Sequence, residues 1–450
     1  MIKIIVLLMM CLSSVFLYAQ HTDNGIHFEQ GLTWDQVKAK ARAENKYIFV
    51  DCYATWCGPC KIMDKNVYPN DLVGAYVNSK FISIKVQMDT SGNDDKDIAL
   101  LYPAAREMEK EYKINSLPSF LFFSPDGNIV QKETGGQAIK EFMVLMRNAI
   151  DPNKQLYTLA NNAFAGKLSY AVMPALIKRL KDYKEDSLAN EVAKVYVHGY
   201  LEKLSDDIFY TKETLKLFRA YSRVISSSDR IFRLYYQQPG RVDSIMGEKG
   251  YAKDRVNFII TNQEIQPVIT RADKEGVVPD WKKIQKDIQR KYNKEYAVYN
   301  VLNAEINWYS YKLEWEEYLK LLMQKWKIYG EEEFKKSGAL GLNDMAWTVF
   351  IHSNNKKQLR TALVWSEMSI PMDKNDPTAE MDTKANILYK LENKDKALST
   401  EIQVVEMCVN KVKNTTSETD KKLMQRTVEM YQRIVDKMRI GKPIIYAGMK

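Results

Sequence analysis

Short apolar runs mark three places in the first 150 residues. The runs 47–53 and 81–86 are rich in β-branched and aromatic residues, which predicts two buried strands. The segment 121–131 contains two further runs on either side of a Ser-Pro-Asp-Gly sequence, whose Asp-Gly pair is a strong hairpin signal. We therefore expect a sheet in this part of the chain.

Helix signals alternate with these strands. One predicted helix begins at Cys57 and continues through Val67, and another covers 94–112 with an interruption at Pro103. The other predicted helices cover 34–43, 71–77 and 139–149. Alternating strands and helices predict an α/β domain. Asp151-Pro152 follows the last helix, so we expect this domain to cover residues 21–150.

Strand signals nearly vanish after residue 150, and apolar residues recur at helical spacing to the C-terminus. Met424, Val428, Tyr431 and Val435 form one such stripe. The pattern predicts that residues 151–450 are entirely helical.

Part of this helical region is repetitive. The segments 343–369 and 381–407 each predict a helix-turn-helix, and Ala362 and Ala397 stand 35 residues apart in them. This spacing is close to the 34-residue period of tetratricopeptide repeats. Residues 343–407 therefore weakly resemble repeats of that type, and we expect a helical array rather than a compact bundle.

The N-terminus has the layout of a secretory signal peptide. Lys3 precedes an apolar run from Ile4 to Leu17, and the chain turns polar after Tyr18-Ala19-Gln20. A membrane anchor is the alternative, but this run is shorter than the roughly 20 residues that a spanning helix needs. We expect cleavage of residues 1–20, an exported protein and no permanent membrane anchor.

Length and charge narrow the class of protein further. A chain of 450 residues is too long for one ordinary hydrophobic core, so two or more domains are expected. The formal net charge is +9, but acidic residues are interspersed with basic ones, and no basic run is interleaved with aromatic residues. Nucleic acid is therefore not an expected partner.

Two cysteines, Cys57 and Cys60, stand close together where a helix is predicted to follow a buried strand. A sulfur at a helix N-terminus is stabilised as a thiolate by unpaired N–H groups and the helix dipole. Cys57 is therefore the expected nucleophile. Cys60, one turn later, is placed to attack the resulting mixed disulfide and release the client.

Zinc binding and a purely structural disulfide are the alternatives for a cysteine pair with this spacing. Pairs of this kind bind zinc when a second pair is present, but Cys52 lies in a predicted strand and Cys408 is remote, so we expect no metal site. A structural disulfide that closes so short a loop would contribute little stability. The spacing therefore favours thiol-disulfide exchange.

The run 50–61, Val-Asp-Cys-Tyr-Ala-Thr-Trp-Cys-Gly-Pro-Cys-Lys, resembles the thioredoxin family. Asp51, Lys85, Asp89 and the Ser-Leu-Pro-Ser segment 116–119 match further positions of that family. Within it, residues 21–150 are most similar to exported or membrane-tethered domains of thiol-disulfide interchange proteins. The resemblance implies a thioredoxin fold, in which helices flank a central mixed sheet, followed here by the all-α helical array.

The resemblance also implies roles for an acid and a base. Asp51 takes the place of a buried acid that assists proton removal from the second cysteine, and Lys85 is expected close to it. Asp51 has an alternative role as a hydrogen-bonded core acid. A carboxylate buried near a thiol nevertheless acquires a raised pKa and can carry protons at neutral pH.

Client docking is implied for a second group of residues. Pro118 matches a cis-proline whose preceding residue, Leu117, pairs with an extended client, although a strand-edge proline is the simpler alternative. Trp56, Gly58 and Pro59 surround the cysteines and are expected to contact the client, with Trp56 covering the disulfide.

The chain also departs from the family. Tyr53 replaces a common tryptophan, Lys65 stands where a proline is frequent, and the stretch 89–112 is longer than in compact thioredoxins. These departures affect the partner surface and the reduction potential. They leave the exchange chemistry intact.

These features lead to one main functional hypothesis, one main alternative and a third option, a disulfide isomerase. The main hypothesis is an exported thiol-disulfide oxidoreductase, periplasmic in a Gram-negative host, which reduces protein disulfides without a cofactor while its helical region recruits clients or partners. The Gly-Pro pair is that of thioredoxin, which lies on the reducing side of its relatives. A reductant of this kind needs a membrane-bound or other thiol electron donor. The alternative is a helical client-binding or chaperone-like protein with an accessory or sensing redox domain.

An aromatic stripe in the helical region permits two interpretations. A packed helical core is the commoner cause of this 3-4 spacing, and a peptide-binding groove is the alternative. A turn near 310–313 would divide the stripe between two helices. Its members are Trp308, Tyr311, Trp315, Tyr318, Leu322, Trp326 and Tyr329.

Overall fold

The structure is a computed structural model that describes residues 25–92 and 94–444. The expected signal peptide, residues 1–20, lies outside the described residues. The chain divides into two compact units, Met1–Arg255 and Val256–Lys450. Among the described residues, no helix combines the length and the apolar character that crossing a membrane requires.

A four-stranded mixed sheet lies in the first unit. Its strands are β1 (Tyr47–Tyr53), β2 (Phe81–Gln87), β3 (Ser119–Phe123) and β4 (Ile129–Thr134), in the spatial order β2-β1-β3-β4. β1 is parallel to β2 and antiparallel to β3, and β3 and β4 form the expected hairpin. The sequence prediction of a mixed sheet is confirmed.

Helices cover both faces of this sheet. They are α1 (Trp34–Glu44), α2 (Gly58–Asn66), α3 (Asp71–Lys80), α4 (Lys96–Ala99), α5 (Tyr102–Glu111) and α6 (Ile139–Ala149). One face carries Val50 and Leu121 and packs against α1 and α5, whereas the other carries Phe49 and Phe120 and packs against α2, α3 and α6. Successive residues of a strand point to opposite faces, which is why these buried positions alternate.

Side chains at the helix starts explain where several helices begin. The Thr33 side chain accepts a hydrogen bond from the Gln36 N–H, and the Gln36 side chain accepts one from the Thr33 N–H. Asn70 caps α3 in a similar way. Such caps satisfy N–H groups that have no partner inside the helix. Pro103 lies in the first turn of α5, so the expected interruption of 94–112 is the break between α4 and α5.

The helices that follow Asp151 also belong to the first unit. The buried Lys132 ammonium on β4 lies 2.8 Å from the Glu185 carboxylate, and the Gln131 side chain accepts a hydrogen bond from the Leu156 N–H. The domain boundary that we expected at residue 150 stays a prediction, and these contacts lie across it. The helices are α7 (Leu156–Phe164), α8 (Met173–Asp182), α9 (Asp186–Gly199), α10 (Asp206–Phe209), α11 (Lys212–Ala220), α12 (Arg230–Gln237), α13 (Pro239–Met246) and α14 (Tyr251–Ile260).

The second unit is helical throughout its described part. Its helices are α15 (Gln266–Glu275), α16 (Trp281–Lys291), α17 (Lys294–Tyr311), α18 (Trp315–Lys335), α19 (Gly338–His352), α20 (Lys356–Ser369), α21 (Thr378–Lys390), α22 (Lys394–Asn414) and α23 (Glu418–Arg439). A π-helical turn, Thr261–Ile265, separates α14 from α15, and the residue Gly330 interrupts α18 with a φ of 66°.

The two repetitive segments form helical pairs. α19 packs against α20, and α21 packs against α22, as expected for 343–369 and 381–407. Ala362 and Ala397 are both fully buried in the second helix of their pair. The fold class, an α/β domain followed by an all-α array, is confirmed, and the likeness to tetratricopeptide repeats stays a prediction.

Candidate functional site

Cys57 and Cys60 are joined by a disulfide at the start of α2, with their Cα atoms 5.3 Å apart. Cys57 is the N-cap residue, and its sulfur accepts a hydrogen bond from the Cys60 N–H at 3.1 Å. Pro59 lies in the first turn, where its missing N–H would have no helical partner. A negative charge on Cys57 would therefore face the positive end of the helix dipole.

The loop that leads into the cysteines is held by Asp89. Its carboxylate accepts a hydrogen bond from the Thr55 N–H at 3.1 Å and another from the Thr55 hydroxyl. The Tyr53 carbonyl accepts a further bond from the Met88 N–H at 2.8 Å. The ends of the parallel strands β1 and β2 are thereby tied together next to the disulfide.

Asp51 lies beneath α2 in the interior. It is two residues from Phe49 on β1, so it faces the side of the sheet that α2 covers, and it is 1% exposed. Within the described residues, neither carboxyl oxygen has a partner in hydrogen-bond geometry. Burial raises the pKa of Asp51 to about 7, against the opposing effects of Lys85 and the nearby Tyr68 hydroxyl. At neutral pH this group can therefore both accept and release a proton.

Lys85 lies directly opposite Asp51, because the two residues are paired between β1 and β2. Its ammonium group is 3.9 Å from the Asp51 carboxylate and also pairs with Asp64 on α2. The Tyr53 ring lies below it, 4.6 Å from the nitrogen. Lys85 therefore links the buried acid to the helix that carries the cysteines.

Asp64 and Tyr68 complete this cluster, and sequence reasoning missed both. Asp64 follows Cys60 by four residues, which places it one helical turn further along α2. That spacing was the available signal for Asp64. Tyr68 lies beyond the end of α2, and its position near Asp51 follows from packing alone.

The peptide bond between Leu117 and Pro118 is cis. The Pro118 carbonyl accepts a hydrogen bond from the Gly135 N–H at 2.8 Å. The Leu117 side chain packs, with Tyr53, against the buried cluster formed by the two cysteines and Ala54. The structure thus brings Leu117 and Pro118 to the disulfide.

Trp56 stands directly before Cys57, and the expectation that it covers the disulfide stays a prediction. Its side chain is 72% exposed, whereas both cysteines are only 2% exposed. It lines a cleft of about 250 Å³ together with Leu117, Glu109 and Met88. Glu109 belongs to the stretch that is longer than in compact thioredoxins.

A second cleft, of about 620 Å³, has Pro59 in its lining. Pro59, Ile62, Gly136 and Ile139 contribute to its lining, and Ile62 is exposed. A Cβ on Gly136 would lie 3.7 Å from the Pro59 side chain, at ordinary contact distance. Trp56 and Pro59, on either side of Cys57 and Gly58 in the chain, thus line two different clefts.

The two other cysteines within the described residues are less suited to exchange. Cys52 and Cys408 are free and buried. Burial raises the pKa of the Cys52 thiol well above its usual value, and it also raises the pKa of Cys408. Among residues 25–92 and 94–444, no group of three or more His, Cys, Asp and Glu side chains is arranged to hold a metal ion.

Comparison with known proteins finds similarity to redox proteins. A family model described as a thioredoxin-like domain matches residues 34–150. Thioredoxin-like protein 1 of Schizosaccharomyces pombe is 23% identical over 237 residues, which cover 50% of this chain and 75% of that protein. Thiol:disulfide interchange protein DsbD 2 of Pseudomonas aeruginosa is 29% identical over 94 residues, which cover 21% of this chain and 14% of that protein.

Among solved structures, the chain is similar to the solution structure of a proposed disulphide-isomerase from Bacteroides thetaiotaomicron. The identity is 29% and the TM-score 0.24, over 28% of this chain and 95% of that chain. The family match, the mixed sheet and the cysteine pair at a helix start agree with one another. Residues 34–150 of this chain therefore form a thioredoxin-like domain with a disulfide between Cys57 and Cys60.

Proposed function

We propose that this protein is an exported thiol-disulfide oxidoreductase that reduces disulfide bonds of other proteins. The observation that carries the proposal is the Cys57–Cys60 disulfide at the start of α2, above a buried acid whose pKa is raised to about 7. A relative whose name contains thiol:disulfide interchange supports the same chemistry. The expected signal peptide supports export, and the periplasm is the compartment expected in a Gram-negative host.

The reaction begins with the reduced protein. The Cys57 thiolate attacks one sulfur of a client disulfide, which forms a mixed disulfide, and the other client sulfur leaves as a thiolate that takes up a proton. Cys60 then gives its proton to Asp51 and attacks the Cys57 sulfur. This step releases the second client thiol, which takes up a proton, and closes the Cys57–Cys60 disulfide. Two electrons have passed to the client.

Client binding is assigned to the surface around the cysteines. An extended client segment would pair with the backbone at Leu117, next to the cis Pro118, in the manner of an added strand. Trp56 and the Gly58-Pro59 turn would contact the residues on either side of the client cysteine. The exposed ring of Trp56 and the cleft lined by Pro59 offer apolar surface for this contact.

A reductant must be reduced again after each cycle. We propose that a membrane-bound or other thiol donor attacks the Cys57–Cys60 disulfide and restores both thiols. Export makes this donor necessary, since oxidising compartments lack the cytosolic thiol pool. The proposed partners are therefore disulfide-containing client proteins and one dithiol donor.

Insulin reduction tests the proposal. With dithiothreitol as donor, the wild-type protein should accelerate precipitation of the insulin B chain, and Cys57→Ser should abolish this activity. Cys60→Ser should instead accumulate a mixed disulfide with the client. Cys408→Ala is the matched control, since it removes a remote buried cysteine and should retain full turnover. Absence of turnover in the wild type, or its persistence in Cys57→Ser, would overturn the proposal.

A further inference from the structure

The aromatic stripe is divided by the structure. α17 ends at Tyr311 and α18 begins at Trp315, with Leu313 in a left-handed conformation between them, so the predicted turn near 310–313 is present. Tyr318 and Leu322 pack in the hydrophobic core of the second unit. The first two members of the stripe, the buried Trp308 and the exposed Tyr311, both line a separate cleft.

This cleft has a volume of about 360 Å³ and lies within the second unit. That volume falls in the range of roughly 300–1,000 Å³ that is typical of ligand sites. α17 contributes three asparagines to the lining, α15 contributes a glutamine, a threonine and an aspartate, and the π-helical turn contributes a threonine. The polar lining residues are Asn300, Asn303, Asn307, Gln266, Thr270, Asp273 and Thr261.

Hydrogen bonds hold the base of the cleft in place. The buried Asn300 side chain accepts a bond from the Thr261 hydroxyl at 3.0 Å and donates one to the Asn257 side chain at 3.0 Å. It also donates to the Tyr296 carbonyl. Because buried amides are costly unless they are bonded, this network orders the residues beneath the cleft. π-Helical turns such as Thr261–Ile265 occur frequently at functional sites.

The charges around the cleft compensate each other. The Asp273 carboxylate lies 2.6 Å from the Lys312 ammonium, which is also 4.8 Å from the Trp308 ring and 5.3 Å from the Tyr311 ring. The remaining polar groups of the lining are neutral amides and hydroxyls. The cleft is therefore suited to an uncharged ligand that both donates and accepts hydrogen bonds.

The spacing of the amides matches an extended polypeptide. Asn303 and Asn307 are four residues apart on α17, which separates them by about 6 Å along the helix axis. Backbone groups on one side of an extended chain recur every two residues, or roughly 6.6 Å. The Asn303 amide nitrogen donates one hydrogen to the Tyr299 carbonyl at 2.8 Å, which leaves its second hydrogen and its oxygen for a ligand. Each amide therefore offers both a donor and an acceptor, as does each peptide unit. The 70% exposed Tyr311 ring adds an apolar surface at one end.

We propose that this cleft binds an extended, uncharged polypeptide segment through the amides of Asn303 and Asn307 and the ring of Tyr311. The inference rests on the proposed function insofar as the polypeptides are the clients whose disulfides are reduced. In this role, the helical region recruits clients by binding their peptide backbone rather than a particular sequence of side chains.

Fluorescence anisotropy with a fluorescein-labelled insulin B chain tests this inference. Blocking both B-chain thiols with iodoacetamide prevents exchange, so the signal reports non-covalent binding alone. With the full-length chain, the double variant Asn303→Ala/Asn307→Ala should raise the Kd at least tenfold, and Tyr311→Ala should raise it severalfold. Asn410→Ala, at an exposed helical position outside the cleft, is the matched control and should leave the Kd unchanged.

Two further measurements separate this inference from the proposed function. Cys57→Ser/Cys60→Ser should bind the blocked B chain as the wild type does, even though it cannot reduce insulin. If the protein does not reduce insulin but its binding of the blocked B chain depends on Asn303 and Asn307, the inference that the cleft binds polypeptide would still be supported. Equal affinity of the double variant and the wild type would overturn the inference, and so would displacement of the probe by millimolar maltohexaose, which would identify a carbohydrate site.

Discussion

Asp51 and Lys85 are directly opposite each other on the parallel strands β1 and β2, and the Lys85 ammonium lies 3.9 Å from the Asp51 carboxylate. This proximity favours the ionised form of the acid, but burial has the larger effect and raises its pKa to about 7. The balance between these two effects keeps the acid near the pH at which a proton carrier works best.

Replacing the buried acid should slow release of the client. Asp51→Asn cannot accept the Cys60 proton, so we expect insulin turnover at pH 7 to fall by about 100-fold, the lower end of what a positioned base contributes. Single-turnover kinetics should show a slower decay of the mixed disulfide, with its formation little changed. The pH profile of this decay should also lose the ionisation near pH 7. A profile that keeps the ionisation would assign it to another group.

Replacing Lys85 and replacing Asp64 should shift the pH dependence of client release in opposite directions, because the two residues have opposite effects on the pKa of Asp51. Lys85→Met removes a positive charge and should raise the pKa of Asp51, which moves the rise in the release rate to higher pH. Asp64→Asn removes a negative charge and should lower that pKa, which moves the rise to lower pH. The measurement is the release rate between pH 5 and 9. Lys85→Arg is the control, since it retains the positive charge. If Lys85→Met and Asp64→Asn moved the pH dependence in the same direction, the ionisation would not belong to Asp51.

The buried Lys132–Glu185 pair should be important for the stability of the first unit. Lys132 also donates to the Tyr112 carbonyl, and Glu185 accepts a bond from the Tyr157 hydroxyl at 3.0 Å. Removing one member leaves the other charge buried, so Lys132→Met should lower the free energy of unfolding by roughly 3–5 kcal/mol in urea titrations.

The double variant Lys132→Met/Glu185→Leu provides the control for this pair. It removes both charges together, so it should recover most of the lost stability. A double variant as unstable as the single one would show that the loss comes from packing.

A second buried acid, Glu401 on α22, should make the second unit less stable at alkaline pH. Burial, together with the neighbouring Asp382, raises the pKa of Glu401 to about 9. Between about pH 4.5 and 9 the folded state therefore holds a proton that the unfolded state has lost, so the free energy of unfolding should fall as the pH rises. Urea titrations at pH 5, 7 and 9 measure this slope.

Glu401→Gln should flatten that dependence, because the amide stays neutral at every pH. Glu406→Gln, at an exposed position of the same helix, is the matched control and should keep the wild-type slope. An unchanged slope in Glu401→Gln would assign the pH dependence to other groups.

Local patterns were sufficient for much of the fold and for the reactive pair. The strands, the Asp-Gly hairpin and the start of α2 at Cys57 depend on residues within one or two turns of each other, so the sequence already contains the interactions that produce them. The division of the aromatic stripe near 310–313 was predicted for the same reason. The contribution of Tyr68 to the acid cluster was missed, because it lies far from Asp51 along the chain and reaches it only when α2 packs on the sheet.

By itself, the sequence determined the Cys57-Gly58-Pro59-Cys60 turn, the buried position of Asp51 in a strand and the helical character of the described residues after 150. The tertiary structure alone decided that Leu117 packs against the buried cluster of the two cysteines, that Lys132 pairs with Glu185, and that Trp308 lines an amide-rich cleft. The physical reason is the distance along the chain over which each kind of interaction acts. Periodicity and capping act between neighbours in the chain, whereas burial and ion pairing depend on which distant surfaces exclude water from each other.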